Sequence, residues 1–227
     1  MISFKGAHFP QGVIMMTIRW YTAYSLSYRN IEELLEERGI ALDHATVNRW
    51  VIKYSSLLEL SFRRRKKKVG NSWRMDETYI KIKGQWCYYY RAVDTDNNTI
   101  DFFLSATRDS AAAEAFFHKV IESHCTPSKV NIDKSGANLA VLQKINETLP
   151  VAVGEQITIK QVKYLNNIIE QDHRSIKRIT RPMLGFKSFI GATATLAGIE
   201  LQRMLKKGQN LLSNGLPALR QFYALAG

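Results

Sequence analysis

The sequence predicts an α/β fold, a mixed sheet flanked by helices and preceded by an all-α helix-turn-helix region. Three observations support this prediction. Residues 13–54 place apolar side chains at helical spacing, residues 73–105 alternate as strands do, and residues 108–180 change repeatedly between the two patterns. Strands followed by alternating helices and strands are typical of a mixed sheet covered by helices.

The composition indicates a globular protein with a polyanionic partner. The chain has 227 residues, a hydrophobic content of 45% and a formal net charge of +12. Residues 1–75 have a net charge of +7, residues 76–160 of −2 and residues 161–227 of +7. Two basic ends suggest nucleic acid as the partner, and the carboxylates gathered in the centre suggest a cation site.

The cysteines and the apolar runs indicate the cellular setting. Cys87 and Cys125 lie far apart without a CxxC pair, so we expect neither a zinc site nor a disulfide framework. This cysteine usage fits a reducing compartment. No apolar run reaches the roughly 18 residues of a membrane span, and the N-terminus lacks the pattern of a signal peptide. We therefore expect a cytoplasmic protein with no membrane partner.

A helix-turn-helix pattern occupies residues 1–60. A first helix is expected over residues 13–24. Ser27 is expected to cap a second helix, which Gly39 ends, and Asp43 to cap a third. Helix, short glycine-containing turn and helix form the pattern of many DNA-binding domains.

The helix after Asp43 is the candidate DNA-reading helix, because the helix before it carries four glutamates that phosphates would repel. Asn and Arg side chains can read base edges, and Lys and Thr side chains can hold phosphates. A plain helical hairpin that packs on the rest of the protein is the alternative. The candidate DNA contacts are His44, Thr46, Asn48, Arg49 and Lys53.

A run of six basic residues follows, within a segment (61–72) that we interpret as a basic linker between domains. Such a run is either a solvated linker or a tether that contacts phosphates, and its position beside a helix-turn-helix favours DNA contact. Its members are Arg63, Arg64, Arg65, Lys66, Lys67 and Lys68.

The central region, residues 73–180, predicts the order β-β-β-α-β-α-β-α. Gly84 and the polar cluster 94–98 supply turns between three antiparallel strands. Helices are expected over residues 108–124 and 135–147. Two short strands and a last helix complete the region.

Three carboxylates in this region attract attention together. Asp76 lies in the first strand on a largely apolar face, where an unpaired charge is unfavourable. Asp133 ends the fourth strand, and ligands collect at such strand ends. Glu170 lies on the last helix. Singly, they could be an edge residue, a helix cap and a surface charge paired with Arg174, but their combination predicts a cation site.

The segments that contain these acids, MDETYIKIKGQWCYYYRAVD, NIDKSGAN and KYLNNIIEQDHRSIKR, resemble the ribonuclease-H-like catalytic core of DDE transposases. More narrowly, they resemble bacterial insertion-sequence transposases of the group represented by insertion sequence six. The N-terminal segment YSLSYRNIEELLEERGIALDHATVNRWV is similar to the DNA-binding region of this group. The resemblance covers nearly the whole chain.

The resemblance implies that Asp76, Asp133 and Glu170 are catalytic acids that bind metal, and that Lys177, with Arg174 nearby, contacts DNA. The 36 residues between Asp133 and Glu170 slightly exceed the usual separation, and we expect the extra length in the loop at 149–156.

The resemblance also implies a chemistry and partners. Three carboxylates without a Cys/His cluster suit Mg²⁺ or Mn²⁺, and two such ions would serve cleavage and transfer of DNA strands. Double-stranded DNA, at the terminal inverted repeats and the target, is the expected partner. A homodimer or higher oligomer on DNA, association with the bacterial nucleoid and cointegrate products are also expected.

Three residues lie close to the acids in sequence. Glu77 is expected to point away from Asp76 along the strand, and Asp172 away from Glu170 around the helix. His173 could take part in the site or only form a hydrogen bond within the helical region.

Residues 181–227 predict a helical segment with a basic end that packs on the core. Two other functions stay open at this point. One is a non-catalytic helix-turn-helix regulator with an α/β dimerisation domain. The other is an oligomerising α/β protein whose positive charge is incidental.

Overall fold

The computed structural model describes residues 2–149 and 156–226. The chain forms two compact units, Met1–Lys67 with Ile176–Gly227, and Lys68–Ser175. We call the first the helical unit and the second the sheet unit. The helices are α1 (Gln11–Ala23), α2 (Tyr28–Glu36), α3 (His44–Arg63), α4 (Ser110–His124), α5 (Gly136–Thr148), α6 (Asn167–Thr180), α7 (Phe189–Lys206) and α8 (Ala218–Tyr223). The strands are β1 (Ser72–Ile82), β2 (Gln85–Asp94), β3 (Thr99–Ser105), β4 (Lys129–Asn131) and β5 (Thr158–Lys160).

The three helices predicted for the N-terminal region are confirmed as α1, α2 and α3. Ser27 caps α2, because its hydroxyl accepts a hydrogen bond from the Asn30 N–H and the Asn30 side chain accepts one from the Ser27 N–H. Gly39 has a φ of +71°, a left-handed conformation that lets the chain turn sharply after the helix. Asp43 stands at the N-cap of α3, but its side chain makes no capping bond and lies 3.1 Å from His44 Nδ1 instead. The side-chain cap predicted at Asp43 is therefore wrong.

Helix α3 runs past residue 60, where the predicted helix-turn-helix region ends. Its apolar stripe is buried and continues at the same spacing through Leu58 and Phe62; the other members are Val47, Trp50, Val51 and Tyr54. Burial of Leu58 and Phe62 carries the helix to Arg63.

The first half of the predicted linker is held in the helical unit. The Lys67 N–H donates to the Gln209 carbonyl at 2.8 Å, and the Leu211 N–H donates to the Arg65 carbonyl at 2.7 Å. Backbone hydrogen bonds of this kind fix the chain, so the interpretation of residues 61–72 as one linker needs correction.

The long helix α7 packs against α3 and α1. The sequence predicts that the segment 181–227 packs on the α/β core, so its place in the helical unit is a correction. Most of α7 is buried, from Ala192 to Leu205, because a helix that is apolar on nearly all sides needs neighbours around it. The N-terminal helices supply them.

The sheet unit contains a five-stranded mixed sheet in the order β3-β2-β1-β4-β5. Strands β1, β2 and β3 form an antiparallel meander, whereas β4 is parallel to β1 and β5 is parallel to β4. Side chains of α4 and α5, such as Phe116, Phe117 and Leu142, share one core with Trp73 and Met75 of β1. The predicted element order and the predicted mixed sheet flanked by helices are confirmed.

None of the helices in the two described ranges is long and apolar enough to cross a membrane. The loop predicted to hold extra length, at 149–156, lies outside the described residues except for Leu149 and Gln156.

Candidate active site

The three predicted acids line one cavity of about 340 Å³ in the sheet unit. Asp76 comes from β1, Asp133 from the loop after β4, and Glu170 from the first turn of α6. The side chain of Asp76 is 20% exposed and that of Asp133 is 36% exposed, so both carboxylates are partly reachable by solvent. The other lining residues are Ile132, Lys134, Gln161, Lys163 and Asn166.

The loop after β4 holds Asp133 in a defined position. Asp133 follows the last residue of β4 by two positions, and its Oδ1 accepts a 2.9 Å hydrogen bond from the Ser135 N–H. Ser135 is the N-cap residue of α5. The carboxylate is thus fixed at the step from a strand to a helix, although the strand itself ends earlier than predicted.

Two buried asparagines set the position of Glu170. Asn131 donates from Nδ2 to Asn166 Oδ1 at 2.7 Å, and its Oδ1 accepts from the Val162 N–H at 3.1 Å. Asn166 in turn donates to the carbonyl of Met75 in β1 at 3.4 Å. Because Asn166 directly precedes α6, these bonds determine where the helix begins. Sequence reasoning missed both asparagines; only Asn131 offered a signal, as a polar residue inside an apolar strand, whereas Asn166 lies in a helical turn.

Glu77 lies in the acidic cluster, so the expectation that it points away from Asp76 is wrong. One carboxylate oxygen from each of Asp76, Glu77 and Asp133 lies within 4.8 Å of the other two. Asn138 donates to Glu77 Oε1 at 2.8 Å and Arg108 donates to Oε2 at 3.2 Å. Alternation along a strand fixes the direction of Cβ. A glutamate side chain is long enough, however, for two hydrogen-bond donors to hold its carboxylate near those of Asp76 and Asp133.

Arg108 connects Glu77 to Asp133. Its Nη2 lies 3.2 Å from Oδ2 of Asp133 and 3.2 Å from Oε2 of Glu77. Burial raises the pKa of the Glu77 carboxyl, and the hydrogen bond from Asn138 and the charge of Arg108 offset only part of this effect. Proximity of Asp133 and Asp76 raises it further.

The two residues that sequence reasoning left open on α6 are both buried. Asp172 lies on a different face from the exposed Glu170, as expected, and its Oδ2 accepts a hydrogen bond from Arg91 Nη2 at 2.5 Å. His173 lies between two elements of the sheet. Its Nδ1 is 3.4 Å from Arg91 Nη1, and its Nε2 is 3.4 Å from Asp76 Oδ2.

The predicted DNA contacts of α3 lie at the surface of the helical unit. His44 and Asn48 line a cavity of about 550 Å³. His44 Nδ1 lies 3.0 Å from Oε2 of Glu32, so one of its two ring nitrogens already has a partner. Arg49 donates to the Thr46 hydroxyl at 2.5 Å. With the exposed Lys53, this row is open to a partner, and its role in DNA reading stays a prediction.

The basic side chains of the run 63–68 and of α6 differ in their solvent exposure. Arg63 pairs with Glu59 at 2.6 Å, and Arg65 donates to the Ala224 carbonyl at 3.2 Å. Lys66 forms a backbone bridge with Asn210. The exposed side chains are those of Arg64, Lys67, Lys68 and Arg174, whereas Lys177 is half-buried.

Sequence reasoning missed three further residues at the acidic cavity. Lys134 and Lys163 bring positive charge to its lining, and Arg108 reaches two of its carboxylates. Such cations next to carboxylates fit a site that holds both a metal ion and a phosphate. The signal for Lys134 was its place directly after Asp133.

Comparison with protein families gives two matches of about half of the chain or more. A family described as a DDE domain matches residues 70–209, and a family described as transposase IS66 matches residues 11–126.

Curated relatives match along most of the chain. The chain is 40% identical over 211 residues to the transposase for insertion sequence-like element IS431mec of Staphylococcus aureus, which covers 92% of this chain and 91% of that protein. It is 39% identical, with the same coverage, to the transposase for insertion sequence element IS257 in transposon Tn4003 of Staphylococcus aureus.

Solved structures show a weaker likeness. The HTLV-2 integrase catalytic core domain in complex with magnesium, in its dimeric form, is 17% identical with a TM-score of 0.47, covering 65% of this chain and 100% of that chain. Its trimeric form is 15% identical with a TM-score of 0.46, covering 70% of this chain and 99% of that chain.

Proposed function

The chain belongs to the DDE transposases of bacterial insertion sequences, in the group represented by insertion sequence six, and we propose that it cleaves and transfers DNA strands at the cavity lined by Asp76, Asp133 and Glu170. The observation that carries this proposal is the convergence of the three acids from β1, the loop after β4, and α6 on one cavity. These acids are far apart in sequence, so their common cavity supports a shared task.

The donor set of this cavity fits a hard divalent cation. Carboxylate oxygens of Asp76, Asp133 and Glu170 line it, and Glu77 adds a fourth carboxylate near two of them. Mg²⁺ and Mn²⁺ prefer such oxygen ligands. When bound, two such cations would neutralise charge on the attacking and leaving oxygens of a phosphodiester.

The residues around the acids would hold the DNA strand. Lys134 and Lys163 can bind non-bridging phosphate oxygens, and Gln161 can donate a hydrogen bond to the same backbone. The attacking hydroxyl comes from water or from a DNA 3′ end. The chain therefore needs no nucleophilic side chain of its own, only groups that orient the strand.

DNA recognition is assigned mainly to α3, with further phosphate contacts from the basic run and from α6. We place base reading on Asn48 and Arg49 with His44 beside them, and phosphate contact on Thr46, Lys53, the basic run 63–68, Arg174 and Lys177. On α3, Arg49 and Lys53 are exposed and the other three side chains are half-buried, so all five are at least partly open to a partner. The expected substrates are the terminal inverted repeats of the element and a target duplex, bound by at least two copies of the chain.

Cleavage of a labelled duplex that carries an element end tests the proposed chemistry. With Mg²⁺ present, Asp76→Ala, Asp133→Ala and Glu170→Gln should each reduce cleavage to background. The matched control is Glu114→Gln, which changes a partly exposed glutamate of α4 that pairs with Lys144, and it should cleave like wild type. Full cleavage by the three acid variants would refute the site, and end binding without cleavage by wild type would favour a non-catalytic regulator.

A two-plasmid assay tests the proposed products. Replicon fusions with the element at both junctions would support cointegrate formation. Insertion of the element alone into the recipient would contradict it, while leaving the proposed active site intact.

A further inference from the structure

A buried row of polar side chains stands directly behind Asp76. Arg91 is the cross-strand partner of Asp76 in the β1–β2 pair. An arginine in this position commonly pairs with the aspartate opposite, but Arg91 donates to Asp172 of α6 at 2.5 Å, and both of these side chains are fully buried. His173 takes the place between Arg91 and Asp76, 3.4 Å from each.

This arrangement fixes the tautomer of His173. A guanidinium has only donors, so Nδ1 of His173 must accept where it faces Arg91 Nη1. In a neutral imidazole, the other nitrogen then bears the hydrogen. That leaves Nε2–H as a donor 3.4 Å from Oδ2 of Asp76, an ion-pair contact without the geometry of a hydrogen bond, so only a small turn of the ring is needed to form one.

We propose that His173 is a positioning residue for the proposed metal site: its Nε2–H holds Oδ2 of Asp76 and leaves Oδ1 to ligate the cation. The Arg91–Asp172 pair fixes the ring from behind. This inference rests on the proposed function, and it explains why buried polar groups occupy the face of α6 behind the acids. A carboxylate held by such a donor loses less rotational freedom when a cation binds.

Two substitutions of His173 that differ in side-chain length distinguish a positioning role from a merely structural role. A glutamine amide nitrogen extends from Cα about as far as imidazole Nε2, whereas an asparagine amide nitrogen extends only about as far as Nδ1. His173→Gln thus keeps a donor toward Asp76, and His173→Asn lacks it. Both substitutions keep a polar side chain that can face Arg91.

The test is a titration of the full chain with Mn²⁺ in the absence of DNA. Electron paramagnetic resonance detects the free Mn²⁺ and so measures the affinity. His173→Asn should weaken binding about tenfold, as loss of a group that orients a metal ligand does. His173→Gln should stay within about twofold of wild type by the same reasoning. Thermal unfolding of both variants shows that they fold, and the cleavage defect of His173→Asn should shrink at high Mn²⁺.

Asp76→Ala separates the possible failures. Wild-type Mn²⁺ affinity in His173→Asn, or equal weakening in both His173 variants, would overturn the positioning role, even if Asp76→Ala abolishes binding as the proposed function requires. Unchanged Mn²⁺ binding in Asp76→Ala would overturn the proposed metal site and this inference with it.

Discussion

Arg108 donates a 3.2 Å hydrogen bond to the carboxylate of Asp133, with its side chain 37% exposed and that of Asp133 36% exposed. Water screens such a pair, so the guanidinium is held loosely. The Arg108 guanidinium nevertheless occupies a carboxylate oxygen of Asp133 that a divalent cation would need. Arg108 and the cation would therefore compete for this oxygen.

Replacement of Arg108 should therefore strengthen cation binding. Arg108→Gln removes the competing charge, and we expect Mn²⁺ to bind about two- to fivefold more tightly, in line with up to ~1 kcal/mol for a partly exposed pair. Calorimetric titration of the DNA-free protein measures the affinity. Arg108→Lys keeps the charge and should bind close to wild type, and weaker binding in Arg108→Gln would show that Arg108 supports the acids instead of competing for them.

The pKa of Glu77 gives a pH prediction with a defined sign. Burial raises this pKa above the ordinary value of 4.5, so the folded state holds the proton more tightly than the unfolded state does. Stability contributed by this group is present below pH 4.5 and is lost as the pH rises through the folded pKa. Glu77→Gln cannot titrate, so its Tm relative to wild type should rise between pH 4 and pH 7 in EDTA.

Glu114→Gln is the control for this pH series, because the pKa of Glu114 is shifted in the opposite direction from that of Glu77. The hydrogen bond and charge of Lys144 lower the pKa of Glu114, so its stabilisation is present at neutral pH and is lost in acid. The Tm of Glu114→Gln relative to wild type should fall slightly as the pH rises. Parallel trends in the two variants would contradict the assigned environment of Glu77.

Sequence reasoning predicted the element order of the sheet unit because it depends on local pattern, whereas the resemblance to DDE transposases singled out Asp76, Asp133 and Glu170, which line the cavity. Alternation identifies a strand, and a charge on an apolar face stands out within it. It failed for Glu77 because the rotation of a long side chain depends on donors distant in sequence, Arg108 and Asn138.

The same limit explains the boundary errors. The place of α7 beside α1 and α3 is a tertiary choice among apolar faces, and periodicity shows that a face is buried without showing what covers it. The Asp43 cap failed for a related reason, since the carboxylate found a partner in His44.

Base reading and phosphate contact on α3 should separate in binding experiments. Asn48 is half-buried beside a cavity and is proposed to read a base edge, whereas Lys53 is exposed and is proposed to contact phosphate. Asn48→Ala should lower the preference for an element end over a scrambled duplex by about 1–3 kcal/mol. Fluorescence anisotropy with both duplexes measures this preference.

Lys53→Ala serves as the comparison for Asn48→Ala. It should weaken binding to both duplexes equally and reduce the slope of log K against log salt by about 1. If Asn48→Ala also weakened both duplexes equally, α3 would hold DNA without reading it.

The crossing of α7 with α1 and α3 gives a stability prediction. A Cβ on Gly198 would lie 2.5 Å from Cγ2 of Thr22 in α1 and 3.2 Å from Oγ of Ser55 in α3. Thr22 cannot turn aside easily, since its hydroxyl donates to the Ile18 carbonyl at 2.8 Å. Gly198→Ala should therefore destabilise the helical unit by about 1–3 kcal/mol, the usual effect of overpacking.

Gly12→Ala is the matched substitution, because Gly12 also lies in a helix but has nothing within 4 Å of its Cβ position. There alanine should be neutral or stabilise by up to about 1 kcal/mol, since it restricts the unfolded chain. Urea unfolding followed by circular dichroism compares the two variants. Equal stability of Gly198→Ala and Gly12→Ala would mean that α7 does not approach α1 and α3 as closely as a glycine allows, and that the crossing tolerates an added methyl group.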